Sequence, residues 1–337
     1  MKADQVEDKS QPDPDQIYEL LYNGWRVHIL KTAIQLDVFT AIANGLSTVE
    51  KLVSAKNWAG RPTRVLLNGL CPLFLSKKGG EYLLTPTSET FLVRNRETYA
   101  GDSLQYFLSC DTWQQLAETV KTGESKLPDA CSPEFSTFWE QDATMESMRK
   151  SRISGSLEMW RTVGIDPDAR QGIRVLDLAS GCSIKSFVLA RQNSDASITC
   201  VEWAGVLEVA KRLADKWGIL KQVSFRPGDL TRMDYGDSEF DVVLLGQITH
   251  LLSVDENKSV LRRAYRALKS GGSVVVHSLI ADEERCKSEA LFLAVVVFTL
   301  FGGKGEFYTF SEYKAMLEEV GFSKIAKHSE SLISARK

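Results

Sequence analysis

Three acidic residues recur at comparable places in the second half of the chain: Asp177 in VLDLASG, Glu202 in ASITCVEW and Asp229 in PGDL. Each closes a run of apolar residues, where a strand would end. Asp177 leads into Ala179-Ser180-Gly181-Cys182-Ser183, a small-residue turn that lets a ligand approach the backbone closely. Glu202 follows 25 residues later, where an acid can accept both hydroxyls of a ribose. Asp229 can accept from an exocyclic adenine amine. Three carboxylates would repel a pyrophosphate, so the set suits a neutral or cationic nucleoside ligand. A single acid of this kind is more often a turn former or a helix cap; the ordered set carries the inference. Gly246 and Gln247 close or follow the next apolar run, FDVVLLG, and His250 comes three residues later. A neutral histidine with an ordinary pKa of ~6.5 suits proton abstraction. The plainer alternative is a histidine hydrogen-bonded in a loop. His277, within SVVVHSL, reads as a buried structural histidine.

These residues need a scaffold that gathers strand ends. From about Gly172 the chain alternates strand-like runs (IRVLDLA, ASITCVEW, VSFRPG, FDVVLLG, SVVVHSL) with helical stretches at Lys185 to Gln192, Val206 to Gly218 and Asp255 to Lys269. Continuous apolar strands separated by helices predict a parallel sheet covered on both faces. Such sheets bind ligands at the carboxyl ends of their strands. The fold class expected is therefore α/β, a Rossmann-like doubly wound sheet, preceded by a mostly helical domain.

The front half has a helical rhythm from Ile17 to about Arg161, with Ile17, Leu20, Leu21, Val27, Leu30, Ile34 and Val38 at three- to four-residue steps. Ser47 can cap the helix TVEKLVSA, with Glu50 in the capping-box position. A second helix, PTRVLLNGLCPLFL, opens on Pro62. Lys77-Lys78-Gly79-Gly80 then turns the chain into EYLLT. Helix, helix, hairpin is the outline of a winged helix. The second helix carries only Arg61 and Arg64 near its start, whereas DNA affinity rests on many phosphate contacts. A structural, dimerising role is the better reading. Expected boundaries are a disordered tail over 1–15, the winged-helix domain over 16–110, linking helices over 111–170 and the catalytic domain over 171–337.

Composition narrows the class. The chain has 337 residues, 43% hydrophobic, with a formal charge of −3. That balance offers no footprint for nucleic acid or an anionic membrane. Six cysteines and four histidines show no metal-ligand spacing, so reduced thiols and no metal are expected. The acidic, Pro-bearing N-terminus lacks the apolar core of a signal peptide. The apolar run Ala290 to Phe301 is shorter than the ~20 residues a membrane span needs, and reads as a buried helix. A cytoplasmic protein is the expectation.

With these motifs the sequence resembles the class I S-adenosylmethionine-dependent methyltransferases, and within them the dimeric small-molecule O-methyltransferases of plants and bacteria. The front half is similar to that family's dimerisation domain in KTAIQLDVFTAIANG, TVEKLVSA and GGEYLLTPTSETFL; the back half is similar to its catalytic domain in VLDLASG, PGDL, FDVVLLG, ALKSGG and YTFSEYKAMLEEVGF. The resemblance implies that S-adenosylmethionine is the cofactor, that no metal is used and that the chain is a homodimer. It implies that Asp177, Ala179 and Gly181 form the turn under the cofactor's amino-acid end and sulfur. Glu202 would hold the ribose, Trp203 would pack on the adenine, and Asp229 and Leu230 would line the adenine end. Gly246 and Gln247 would follow the methionine portion, and His250 would be the general base. Two departures are plain. Ala179 and Ser183 replace glycines of the family's D-x-G-x-G-x-G turn, although a Cβ disfavours positive φ. Leu251-Leu252-Ser253 follows His250 where O-methylating members often show Asp-Trp, which points away from a standard catechol or phenol.

Methyl transfer from a sulfonium is an in-line displacement governed by positioning, and deprotonation of a hydroxyl acceptor adds ~10²–10⁴-fold. The acceptor pocket is expected between the front domain and the helix around Leu291 to Phe301. Its candidates are Tyr106, Phe107, Phe138, Trp139, Met145, Phe298 and Phe301, for each of which core packing is the plainer role. The resemblance singles out Met145, on the helix that walls the pocket in family members. An acceptor oxygen leads. The alternatives are S-methylation of a thiol or thioether such as a methylthio-hydroxy acid, carbon or nitrogen acceptors, and, from another class, a non-enzymatic S-adenosylmethionine-binding regulator.

Overall fold

Strand-forming and helix-forming segments alternate from residue 172 onward, and in the computed structural model they build one seven-stranded sheet. The structure describes residues 12–108, 113–123, 132–147, 150–169, 172–300 and 304–337. It divides after Leu108 into two compact units. Among the described residues no helix is long and apolar enough to cross a membrane.

The first unit holds α1 (Asp15–Gln35), α2 (Val38–Ala43), α3 (Val49–Lys56), α4 (Gly60–Leu70), the strands β1 (Leu75–Lys78) and β2 (Glu81–Leu84), α5 (Pro86–Phe91) and α6 (Gly101–Phe107). Its core gathers Ile34, Phe39, Leu52, Leu67, Leu70 and Tyr82. Three details differ from the sequence expectations. Thr48, not Ser47, caps α3 by accepting the Lys51 amide, while the Ser47 hydroxyl donates to Glu81. Lys77 and Lys78 lie within β1, so the hairpin turn is Gly79-Gly80 alone. The apolar stripe of α1 is largely outside the core: Ile17 is 71% and Leu20 74% exposed, and Trp25 is exposed as well. Only Ala33 and Ile34 of that helix are buried.

The second unit begins with α7 (Leu116–Thr122), α8 (Ser136–Ser147) and α9 (Lys150–Thr162). The sheet then alternates β3 (Arg174–Leu178), α10 (Ile184–Gln192), β4 (Ser197–Glu202), α11 (Ala204–Lys216), β5 (Val223–Pro227), β6 (Phe240–Gly246), α12 (Val254–Ala267) and β7 (Leu268–His277). After α13 (Glu289–Leu300) and α14 (Phe310–Val320), β8 (Ser323–Ser329) and β9 (Leu332–Arg336) complete it. The strand order is β5-β4-β3-β6-β7-β9-β8, parallel through β7, with β9 antiparallel to β7 and β8 antiparallel to β9. The fold is thus a Rossmann-like α/β sheet preceded by a mostly helical part, as the alternation requires.

Strand order reverses between β3 and β6, so the turns after these strands diverge and leave a crevice between them. The sheet's apolar faces are covered by helices, with Trp160, Phe187, Val206 and Leu244 in the core. Helix α14 ends on Gly321 at φ +109°, a conformation that glycine adopts without strain. Helix α13 is less buried than its composition suggests, since Phe292 is 70% exposed. The helix expected as far as Lys269 stops at Ala267, and Leu268 to Gly272 of the ALKSGG segment enter β7 as strand.

Candidate active site

At the carboxyl ends of the parallel strands lies a cavity of about 640 Å³, built wholly within the second unit. Ala179 and Gly181, from the turn after β3, line it beside Glu202 and Trp203, where β4 passes into α11. Leu230, after β5, and Gly246 and Gln247, at the end of β6, complete the predicted cofactor residues on its wall.

The turn after β3 holds the conformation that its glycine-poor sequence resists. Ala179 has φ +52°, Gly181 +55° and Ser183 +57°. For residues with a Cβ this left-handed region costs roughly 1–2 kcal/mol each. The turn is fixed from outside: Gly181 N donates to Glu202 Oε2 at 3.1 Å, and Ser180 N donates to the Val201 carbonyl. Glu202 Oε1 accepts the Trp203 amide at 2.8 Å. Each carboxylate oxygen thus spends one lone pair on the backbone and keeps one, enough to accept the two hydroxyls of a ribose. Burial lifts the Glu202 carboxyl to about 7, against the lowering pull of both amides.

Two of the three acids do not reach the cavity wall. Asp177 is buried beneath the turn, 2% exposed, and its Oδ2 accepts the Ser186 hydroxyl at 2.5 Å. Burial raises it to about 6. It braces β3 against α10 and is not a wall residue. Asp229 folds onto its own loop, accepting the Thr231 amide and hydroxyl at 2.7 Å each and pairing with Arg232. It shapes the turn that presents Leu230, the commonest use of Asp after a strand.

His250 lies in a short 3-10 turn over Thr249–Leu251, between Ile248 and Leu251, which line the cavity. Its own side chain does not form the wall. The ring stacks on Phe307, with centroids 4.5 Å apart and planes 10° off parallel, and Nδ1 meets Ser278 Oγ at 3.2 Å. Burial drops its pKa to about 4, so the ring is neutral at pH 7. The turn is over-determined: Asn257 donates to the Thr249 and Leu252 carbonyls, Tyr308 donates to Leu252, and Thr249 shares a hydrogen bond with Tyr313. His277, the last residue of β7, has a buried Nδ1 without a hydrogen-bond partner among the described residues.

Of the acceptor-pocket candidates, Trp139 on α8 lines the cavity; Met145 and Phe138, on the same helix, do not. Tyr106 and Phe107 close α6 in the first unit. The Phe298 side chain and Phe301 lie outside the described residues, as do Cys110 and Cys131. No metal-binding group of His, Cys, Asp or Glu occurs among the described residues.

Sequence reasoning missed four charged residues on the wall: Asp142, Glu146, Arg152 and Lys185. Only Lys185 left a signal, as the one charged residue in the α10 segment IKSFVLA. The other three reach the cavity because α8 packs on α11 and α9 on α10.

This is a cavity with a carboxylate for a ribose, apolar flanks for a base and charged groups opposite. A methyltransferase-domain family profile matches residues 175–272, the stretch carrying every cavity residue of β3 through β6. The chain is similar to the 3-hydroxy-5-methyl-1-naphthoate 3-O-methyltransferase of Streptomyces sahachiroi, at 25% identity over 93% of this chain and 90% of that one. It is as similar to the bovine acetylserotonin O-methyltransferase, at 25% identity over 89% and 90%. Among solved structures, a protein of Nostoc punctiforme assigned as an O-methyltransferase superposes with TM-score 0.73 at 28% identity, covering 97% of this chain and 100% of that one. The chain carries a methyltransferase domain over residues 175–272 and is similar over nearly its whole length to small-molecule methyltransferases. Its relatives place it with the small-molecule O-methyltransferase type. The human N-acetylserotonin methyltransferase, solved with S-adenosylmethionine, shares the fold with TM-score 0.72 at 19% identity over 98% of this chain and 99% of that one.

The residues present fit the cofactor of this methyltransferase class. Glu202 retains two free lone pairs for the ribose, Trp203, Val206 and Leu230 offer apolar surface for the adenine, and the backbone at Ala179 and Gly181 borders the space for the amino-acid arm.

Proposed function

We propose that this methyltransferase acts on a hydroxyl group of a small organic acceptor, with His250 as general base. S-adenosylmethionine supplies an electrophilic methyl group on sulfur; the chain's own residues supply position and proton transfer. Glu202 and the β3 turn hold the nucleoside end, which fixes where the sulfur lies. The observation that carries the base assignment is the locked, neutral ring of His250, held by Phe307 and Ser278 on the turn that follows Gly246 and Gln247. In the tautomer that donates Nδ1–H to Ser278 Oγ, Nε2 keeps its lone pair for an acceptor proton.

The relatives named for oxygen acceptors favour this reading. Relatives named as a tyrosine C-methyltransferase and an N,N-dimethyltransferase stand at comparable identity, so acceptor chemistry varies within this fold. Sulfur is the other reading that we keep, because a thiol or thioether needs little or no base. His250→Ala decides between them: a loss of ~10²–10⁴-fold in kcat, with binding of S-adenosylhomocysteine unchanged, supports oxygen. A loss under tenfold removes His250 from the chemistry.

The exposed apolar face of α1 supports a homodimer, since a large exposed apolar patch marks an interaction surface. The first unit serves assembly in this reading and not DNA binding, since α4 offers only Arg61 and Arg64 for phosphates. A cytoplasmic location fits both assignments.

A further inference from the structure

The charged end of the cavity carries a group that neither the ribose nor the base assignment uses. Lys185, in the first turn of α10, extends along the wall toward the end of β6. Its Nζ lies 3.3 Å from where a Cβ on Gly246 would stand. Gly246 pairs in register with His277 at the end of β7, so the amine sits on the β6 side of the crevice, away from Glu202 on β4. Arg152, also on the wall, is held at 2.6 Å from Glu146. The Lys185 amine has no ion pair and no hydrogen bond to any described residue, while Asp177, whose charge acts on it, accepts the Ser186 hydroxyl at Oδ2. Burial drives the ammonium's pKa down, and Asp177 is the strongest group opposing that shift.

An unpaired amine on the wall of a ligand cavity is costly in the free protein. A bound anion would remove that cost, and a carboxylate is the anion at hand in this chemistry. With Glu202 assigned to the ribose at β4, the strand order β5-β4-β3-β6-β7 leaves the base to the β5 side, the amino-acid arm to β3 and the acceptor to β6 and β7 in this reading. Lys185 spans the last two. Resting on the methyltransferase reading, we propose that Lys185 is the anchoring cation for a carboxylate bound at the β3–β6 end of the cavity. That carboxylate belongs either to the donor's amino-acid arm or to an acidic acceptor. Arg152, tied to Glu146, stands beside the anchor as a second, already paired cation.

The test compares the full-length wild type with Lys185→Met, close in length but uncharged, by calorimetric titration with two ligand pairs. The first pair is S-adenosylhomocysteine and its decarboxylated form, which keeps the ammonium. The second, titrated in saturating S-adenosylhomocysteine, is 3-hydroxy-1-naphthoate and 2-naphthol. A loss of tenfold or more for S-adenosylhomocysteine, with its decarboxylated form unchanged, establishes the donor's carboxylate as the partner. Donor ligands unchanged, with the wild type's preference for the naphthoate over the naphthol abolished, establishes an acidic acceptor. A thermal midpoint equal to or above that of the wild type shows that the variant is folded. Equal binding of every ligand by the two proteins, or an equal loss for both members of each pair, overturns the proposal. Failure of the wild type itself to bind S-adenosylhomocysteine would overturn the underlying methyltransferase reading, an outcome distinct from any change confined to Lys185→Met.

Discussion

The Oε2 atom of Glu202 accepts the Gly181 amide at 3.1 Å, joining the end of β4 to the turn after β3. One carboxylate therefore shapes the turn and faces the cavity, so its charge couples the cofactor site's architecture to pH.

Burial raises Glu202 from 4.5 to about 7 in the folded chain. The ionised form is the double acceptor that a ribose needs, so affinity for S-adenosylhomocysteine should rise from pH 6 to pH 8, by up to ~10-fold. Calorimetry at the two pH values measures this. Glu202→Gln should bind more weakly and lose the pH dependence; a wild type whose affinity is flat across the interval would contradict the assignment.

Ala179 and Ser183 hold left-handed backbone without being glycine. Ala179→Gly should raise stability by ~0.5–1 kcal/mol, the relief of roughly 1–2 kcal/mol of strain less the extra entropy of glycine in the unfolded chain. Ser183→Gly should gain less, because it forfeits the bond from Ser183 Oγ to Cys200 Sγ at 3.2 Å. Urea unfolding of the two variants gives the comparison, and a destabilised Ala179→Gly would show that strain is not what the position carries.

His250 falls from 6.5 to about 4 on folding because burial disfavours its charged form. Below pH 6.5 the unfolded chain binds a proton that the folded chain refuses. The stability contributed by neutral His250 is therefore complete above pH 6.5 and is lost as pH falls toward 4, by at most ~3 kcal/mol. Asp177, raised to about 6, acts in the opposite sense over an overlapping range. The contribution of His250 should emerge as a difference: the acid-side decline should be shallower in His250→Gln than in the wild type, as read from unfolding midpoints at pH 5 and pH 7.

The α1 helix leaves Ile17, Leu20, Tyr22 and Trp25 on its exposed surface. If this face joins two chains, Trp25→Glu should halve the mass seen by light scattering at micromolar concentration while leaving the second unit's fold intact. A wild type already monomeric at that concentration would remove the dimer.

Much of the site was legible in the chain. Alternation fixed the parallel sheet, because strands buried on both faces must be apolar throughout, and strand ends placed Glu202, Gly246 and Gln247 at one crevice. Glu202 reached the cavity as its position required. Asp177 and Asp229 shared the same sequence signature yet turned to Ser186 and Thr231, because a carboxylate takes the nearest donors and no sequence pattern tells which donors those are. The glycine-poor turn could be read as resisting positive φ; that it adopts positive φ nonetheless follows from bonds to Glu202 and Val201, which only the sheet brings near.

The sequence by itself determined what local chemistry and periodicity determine: the two-part organisation, the α/β class, the order of strand-end residues and the lack of a basic DNA-reading helix. The tertiary structure alone decided which of those residues face the cavity and which opposite charges join them. Arg152 and Lys185 are 33 residues apart and Glu146 lies on another helix, yet all three meet one wall. The physical reason is packing. Helices α8 and α9 bury their apolar sides against α11 and α10, and the angle at which they do so, set by side-chain fit and not by periodicity, carries their charged residues to the crevice.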